Sequence, residues 1–128
     1  MTRGTPIPTP AELEILRTLW KQGPQTVRQV QEILGRDRDV GYTTVLKTMQ
    51  VMAEKKLVSR DESERSHIYE AAVPEQSVKR RMVSDLLDRV FDGSAAGLVM
   101  HALGGRRASA DELKQIRQLL KENSRGGR

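Results

Sequence analysis

The residues best suited to bind a ligand lie in one segment, from Gly41 to Lys56, which reads GYTTVLKTMQVMAEKK. Its apolar side chains recur at helical spacing and predict a helix that buries one stripe in a core. They are Val45, Met49 and Met52, with Ala53 beside them. The polar side chains on the other faces are Tyr42, Thr43, Lys47 and Gln50. Hydroxyl, amide and ammonium groups of this length are suited to contacting the base edges and phosphates of DNA.

A plainer interpretation of this segment is an ordinary amphipathic helix whose polar face is solvated. The first negative charge in the helix is Glu54, near its far end. The outward face is therefore not acidic, which keeps the DNA interpretation open.

The composition is typical of a helix-rich chain, and its net charge is compatible with an anionic partner. The 128 residues carry a net charge of +5, contain no cysteine and are only 3% aromatic. Residues 1–73 have a net charge of +1 and residues 74–128 of +4, so charge supports a nucleic-acid partner only loosely. Without cysteine there is no thiol catalysis or cysteine-based metal centre. Since no apolar run could span a bilayer and no signal peptide is evident, we expect no membrane association and a cytoplasmic location.

Two short helices are predicted before the polar-faced helix. Residues Thr9 to Glu12 form a capping box with proline at the first helical position, and Gly23-Pro24 ends the helix. Trp20 falls in its apolar stripe and is expected to anchor the core. A second capping box, from Thr26 to Gln29, opens a helix that ends at Gly35. A short helix, a turn and a longer helix with a polar face are typical of a helix-turn-helix.

A β-hairpin is predicted directly after these helices. The segments from Leu57 to Arg60 and from His67 to Glu70 have strand character, and the residues between them are polar. Such a hairpin is the wing of a winged helix-turn-helix. Arg60 and Arg65 could contact phosphates, or the hairpin could simply be solvated, and His67 could hydrogen-bond locally. The three acidic residues of the turn would repel a phosphate backbone, so any DNA contact should come from the basic residues.

Three further amphipathic helices are predicted after Val73-Pro74. They cover residues 75–91, residues 95–103, and a last segment that opens at Ser109 and fades at Ser124. Pairing with a second copy would bury their apolar faces, although they could also fold back on the same chain. The predicted dimer residues are Val78, Met82, Leu86, Val90, Phe91, Leu98, Val99, Leu113, Ile116 and Leu120.

The predicted fold is therefore mainly α with a small β-hairpin wing, a winged helix-turn-helix over residues 1–73 followed by a three-helix dimerisation segment over residues 74–128. The two histidines are far apart, and neither a phosphate loop nor a metal-ligand spacing is present. An enzyme is therefore not expected, and no cofactor or metal is expected either. The alternative function is a winged-helix protein-interaction module without sequence-specific DNA binding.

Several runs of residues resemble the penicillinase-repressor family of BlaI/MecI type. They are YTTV at 42–45, MAEKKLV at 52–58, HIY at 67–69 and FDGS at 91–94. The likeness extends from about Pro8 to Asn123. It implies a homodimeric repressor on a dyad-symmetric operator of double-stranded DNA. It also implies major-groove contacts from Tyr42, Thr43, Thr44 and Lys47, and backbone contacts from Arg28 and Arg60.

The chain departs from the family pattern in three places. A membrane-bound sensor protease, which the resemblance implies as a further partner, cleaves an Asn-Phe bond in β-lactam-induced members, and His101-Ala102 stands there in this chain. Copper-responsive relatives carry a cysteine cluster that is absent here. Lys56 stands where the family usually has glycine at the end of the recognition helix, so a positive φ there would add a small strain.

Overall fold

The computed structural model describes residues 5–105 and 107–126, and its elements follow the order of a winged helix-turn-helix with three helices after the hairpin. The helices within these residues are α1 (Pro10–Gln22), α2 (Val27–Leu34), α3 (Tyr42–Glu54), α4 (Glu75–Val90), α5 (Ala95–Gly104) and α6 (Ala110–Gly126). The strands are β1 (Gln25–Thr26), β2 (Val58–Asp61) and β3 (Ile68–Ala71), in the antiparallel order β1-β3-β2. The predicted fold class is confirmed.

Both predicted capping boxes of the first two helices are present. The Glu12 backbone N–H donates to Thr9 Oγ1 over 3.2 Å, and the Thr9 N–H donates to Glu12 Oε1 over 2.9 Å. Thr26 and Gln29 make the same reciprocal pair at the start of α2. Such caps satisfy amide groups that a helix start otherwise leaves unpaired, so the sequence fixes where α1 and α2 begin.

The core forms around the inner stripe of α3. Val45, Met49 and Met52 are buried there, and Ala53 packs against the same cluster. The surrounding buried side chains come from α1, α2 and the hairpin: Ile15, Leu16, Leu19, Val27, Val30, Leu57, Val58 and Tyr69. Trp20 is half-buried against this cluster, and its Nε1–H donates to the Val73 carbonyl over 3.0 Å, which confirms its role as an anchor.

The hairpin is present, but its strands begin one residue later than predicted. Leu57 is buried and donates its N–H to the Met52 carbonyl over 2.9 Å, so it completes the turn after α3 instead of starting β2. The adjoining Lys56 has a φ of 67°, which is the left-handed conformation anticipated at this position. Lysine adopts it at a cost of about 1 kcal/mol.

The short strand β1 was not predicted. It consists of Gln25 and Thr26, which pair with Tyr69 and Ile68 of β3. Gln25 is buried, and its Oε1 accepts a 2.6 Å hydrogen bond from the Thr18 hydroxyl. Two residues carry no alternation pattern, so only the finished sheet reveals the strand.

The chain divides into two compact units after Asp85. In the second unit, the rings of Phe91 and His101 lie 5.4 Å apart at an angle of 58°. A side chain on Gly97 would come within 3.3 Å of the Phe91 ring, so this close approach favours glycine. None of the second unit's described side chains is fully buried. Across the described residues, no helix is both long and apolar enough to span a bilayer. The functional division at residues 73 and 74 stays a prediction.

An ion pair joins the start of α1 to the end of α3. Lys55 Nζ lies 2.7 Å from Glu12 Oε2, and the Glu12 side chain is only 4% exposed. Burial is the largest single influence on the pKa of Glu12 and raises it. The Lys55 hydrogen bond, the Thr9 hydrogen bonds and the Lys55 charge together outweigh burial, so the pKa lies below its usual value of 4.5.

We expect Glu12→Gln to lower the free energy of unfolding by about 1 kcal/mol at neutral pH, because it removes a charge-assisted hydrogen bond and the ion pair. A depressed carboxyl pKa stabilises the fold fully above pH 4.5 and loses that contribution as the pH falls through the folded-state value. The difference between variant and wild type should therefore shrink below pH 4.5, as measured by urea denaturation.

The matched control is Glu14→Gln, which removes an exposed ion pair with Arg38. Both side chains of this pair are solvated, so we expect the free energy of unfolding to fall by only a few tenths of a kcal/mol. An equal loss for both variants, or a Glu12→Gln loss that does not depend on pH, would contradict the assignment.

Candidate nucleic-acid interface

The outer face of α3 presents polar side chains to solvent because its inner stripe is buried. The exposed positions on α3 include Tyr42, Thr43, Thr44, Lys47 and Gln50. The Thr48 hydroxyl instead donates to the Thr44 carbonyl over 2.9 Å, so it is satisfied within the helix. Lys47 is the single basic side chain within α3. The helix thus offers short hydrogen-bonding groups with one cation at its middle. Such groups are suited to contacting base edges in a major groove.

The turn that leads into α3 is held by two side-chain contacts. Gln31 Nε2–H donates to the Val40 carbonyl over 3.0 Å, and Arg38 lies 2.6 Å from Glu14 of α1. The charged turn after Gly35 was anticipated, but these partners lie 9 and 24 residues away in the chain. They position the first turn of α3 relative to α1 and α2.

The N-terminus of α3 is open and electropositive. Gly41 is its N-cap residue and provides no side-chain hydrogen bond to the amide groups of the first turn. The helix dipole places partial positive charge at this end, where unpaired amide groups can bind an anion. The Arg28 guanidinium lies 5.7 Å from the centre of the Tyr42 ring. A residue from α2 and a residue from α3, each predicted separately, thus meet at the start of α3.

On the wing, Arg60 is engaged by its own chain. Its Nε lies 2.6 Å from Glu62 Oε2, and its direct cross-strand partner is Tyr69. The hydrogen bond with Tyr69, followed by the charge of Glu62, raises the pKa of Arg60. Arg65 and His67 are exposed in the hairpin. Sequence reasoning missed the role of Glu62, which lies in the turn one residue past the end of β2, where no strand alternation relates it to Arg60.

The part of the chain that the structure describes contains no group of three or more histidine, cysteine, aspartate or glutamate residues that could hold a metal ion. One groove of about 690 Å³ is lined by α1, the end of α2 and the turn after it, with Glu75 at one edge. Its lining includes Arg17, Lys21 and Arg36 together with acidic residues. This mixed charge favours no particular small ligand.

Comparison with known proteins places this geometry in a family. A sequence profile described as "Penicillinase repressor" matches residues 8–122. The chain belongs to the penicillinase repressor family. Family membership confirms the resemblance seen in the sequence, and it makes the chain a DNA-binding transcriptional repressor and not an enzyme.

Individual relatives cover most of the chain. A "Transcriptional regulator BlaI" of Mycobacterium tuberculosis (strain CDC 1551 / Oshkosh) is 34% identical over 117 residues, which span 90% of this chain and 83% of that protein. A "Penicillinase repressor" of Staphylococcus aureus is 17% identical over 115 residues, spanning 90% and 91% of the two chains. The family likeness thus includes the helices after the wing as well as the winged helix.

Solved structures support the fold. RosR from H. salinarum matches with a TM-score of 0.51 at 13% identity, over 94% of this chain and 96% of that one. A mutant MarR from E. coli, complexed with operator DNA, matches with a TM-score of 0.51 at 15% identity, over 90% and 74% of the two chains. At this identity the likeness concerns the fold alone.

The open N-terminus of α3 gives a test that separates helix stability from phosphate binding. Gly41 has an ordinary extended conformation, and a side chain there would meet nothing within 4 Å. We expect Gly41→Asn and Gly41→Asp both to raise the free energy of unfolding by a few tenths of a kcal/mol, because each supplies a cap.

Only the aspartate should weaken binding to DNA, by about fivefold, because its charge opposes a phosphate at this end of α3. Gel-shift titration with DNA from upstream of the chain's own gene measures this difference, and Gly41→Asn is the matched control. Equal affinities for the two variants would remove the N-terminus of α3 from the interface.

Proposed function

We propose that the chain represses transcription as a homodimer on a dyad-symmetric operator. Each copy would insert α3 into a major groove, with the two grooves separated by one helical turn of DNA, about 34–36 Å. The bound dimer would cover promoter DNA and so exclude the polymerase. The observation that carries the proposal is the exposed polar face of α3, which a buried stripe holds outward in a chain of the repressor family.

The proposed DNA contacts fall into two groups. Tyr42, Thr43, Thr44 and Lys47 would face the major groove, where their donors and acceptors can read base edges. The residues proposed for the phosphate backbone are Arg28, Arg60 and Arg65. The contact between Arg28 and Tyr42 supports this division, because it orients a cation beside the open end of α3.

The proposed dimer would cover apolar side chains that a single chain leaves in solvent. The most exposed are Val90 (62%), Met100 (70%), Leu119 (64%) and Leu120 (61%). Pairing with a second copy would remove these large apolar side chains from water. The other predicted dimer residues that are exposed or half-buried are Met82, Leu86, Phe91, Leu98, Val99, Leu113 and Ile116. Val78 is fully buried within its own chain and is not on this surface.

We further propose that the protein acts in the cytoplasm and responds to a signal other than cleavage at His101-Ala102. This bond lies inside α5, and His101 Nδ1 is 3.1 Å from the Gly97 carbonyl. Because the family's Asn-Phe pair is missing here, a sensor protease would have to act at another bond.

Nuclease footprinting of the DNA upstream of the chain's own gene should show a protected inverted repeat. Lys47→Ala should weaken this binding by about tenfold, because it removes the cation at the centre of the recognition face, while the stability changes little. Lys114→Ala, an exposed cation on α6, is the matched control and should bind normally.

Protection without an inverted repeat would argue against the symmetric operator. An absence of protection would favour the alternative function, a protein-interaction module. Lys47→Ala binding at wild-type strength would remove Lys47 from the interface.

If the chain is a homodimer, a charge placed among the exposed apolar side chains should strongly weaken dimerisation. Leu120→Asp should shift the protein toward monomer in sedimentation-velocity experiments, with a loss of about 2 kcal/mol or more from each copy. Binding to the inverted repeat should weaken in parallel.

Gln118→Asp is the matched control, because helical spacing places it on the opposite face of α6 from Leu120. It should leave the dimer intact. A wild-type protein that sediments as a monomer at micromolar concentration would contradict the dimer proposal.

A further inference from the structure

Arg60 of the wing, a proposed phosphate contact, already has an anionic partner. Glu62 lies two residues further along, and its Oε2 approaches Arg60 Nε to 2.6 Å. The side chains are 33% and 53% exposed, so the pair lies at the surface where a DNA phosphate could also reach the guanidinium. A DNA phosphate and the Glu62 carboxylate would therefore compete for the Arg60 guanidinium.

The other charged residues of the hairpin also oppose the binding of a phosphate at Arg60. From Val58 to Ala71 the hairpin carries two arginines and four carboxylates, a net charge of −2 with histidine neutral. Asp61 accepts a 2.9 Å hydrogen bond from the Ser63 N–H, and hydrogen bonding to Ser63 lowers the pKa of this carboxyl. The net charge of the wing is negative, so a phosphate approaching it meets repulsion as well as competition.

We propose that Glu62 is an intramolecular competitor for Arg60 that limits the affinity of the wing for any duplex DNA. The inference rests on the proposed DNA-binding role of the winged helix. Non-specific binding to DNA is almost entirely electrostatic, so cancelling one cation on the wing lowers affinity without altering the base-reading face of α3. Glu62 is not itself a DNA contact, and its largest effect on DNA binding acts through Arg60.

The test compares binding to a short mixed-sequence duplex, which needs no knowledge of the operator, by fluorescence anisotropy over a series of salt concentrations. Glu62→Gln should bind this duplex about 3- to 10-fold more tightly at low salt, because Arg60 without its carboxylate partner gains a phosphate partner. The slope of log affinity against log salt should steepen by about 0.9, the value for one additional phosphate contact. Glu62 is exposed, so this substitution is not expected to disturb folding.

A double-mutant cycle separates competition from a simple change of net charge. In an Arg60→Ala background, Glu62→Gln should raise the affinity for the duplex only slightly, since the cation that the substitution would release is absent. The matched control is Glu64→Gln in the same turn, which makes the same charge change. Among the described residues, the ion pairs found do not include Glu64. Its gain should be smaller and equal in both backgrounds.

Three results would overturn the proposal. They are a Glu62→Gln affinity equal to or weaker than wild type, a Glu62→Gln gain that is as large without Arg60 as with it, and an unchanged salt slope. The role of Glu62 and the proposed repressor function fail separately. A protected inverted repeat with no effect of Glu62→Gln removes only Glu62. Conversely, an Arg60-dependent gain on the mixed-sequence duplex stands even if no inverted repeat is protected.

Discussion

The recognition surface depends on the burial of one stripe of α3. Val45, Met49 and Met52 are fixed in a close-packed core, and a helix has no freedom to rotate once one face is locked. The polar positions from Tyr42 to Gln50 therefore point outward as a consequence of packing. The ion pair between Glu12 and Lys55 joins the end of α3 to the start of α1, so the same helix is held at its far end as well.

The distribution of charge favours sequence selectivity over high affinity for DNA. Within α3 the single lysine is balanced by Glu54, and the hairpin is negative overall. A single winged helix of this kind would bind an arbitrary duplex weakly, because little net positive charge faces the phosphates. A pair of chains acting together gains affinity by effective concentration, which fits a repressor whose exposed apolar surface lies in the helices after the wing.

The sequence was sufficient for features that depend on local chemistry. The capping boxes at Thr9 and Thr26 and the inner stripe of α3 follow from residue type and spacing. The positive φ of Lys56 was anticipated only from the family resemblance, because the family usually has glycine there. Features that depend on distant partners were not predictable, because no periodicity connects them. Examples are the pairing of Gln25 with Tyr69 and the contact of Arg28 with Tyr42. The functions of the individual DNA-binding and dimer residues remain predictions.

The anchoring of Trp20 has a practical consequence for measurements on this protein. It is the only tryptophan in the chain, it is half-buried, and its indole N–H is bonded to the Val73 carbonyl. Intrinsic fluorescence excited at the indole band thus reports the environment of α1 and of the segment that follows the hairpin. The helices after Asp85 contain no such fluorophore, so the emission spectrum follows the winged helix alone.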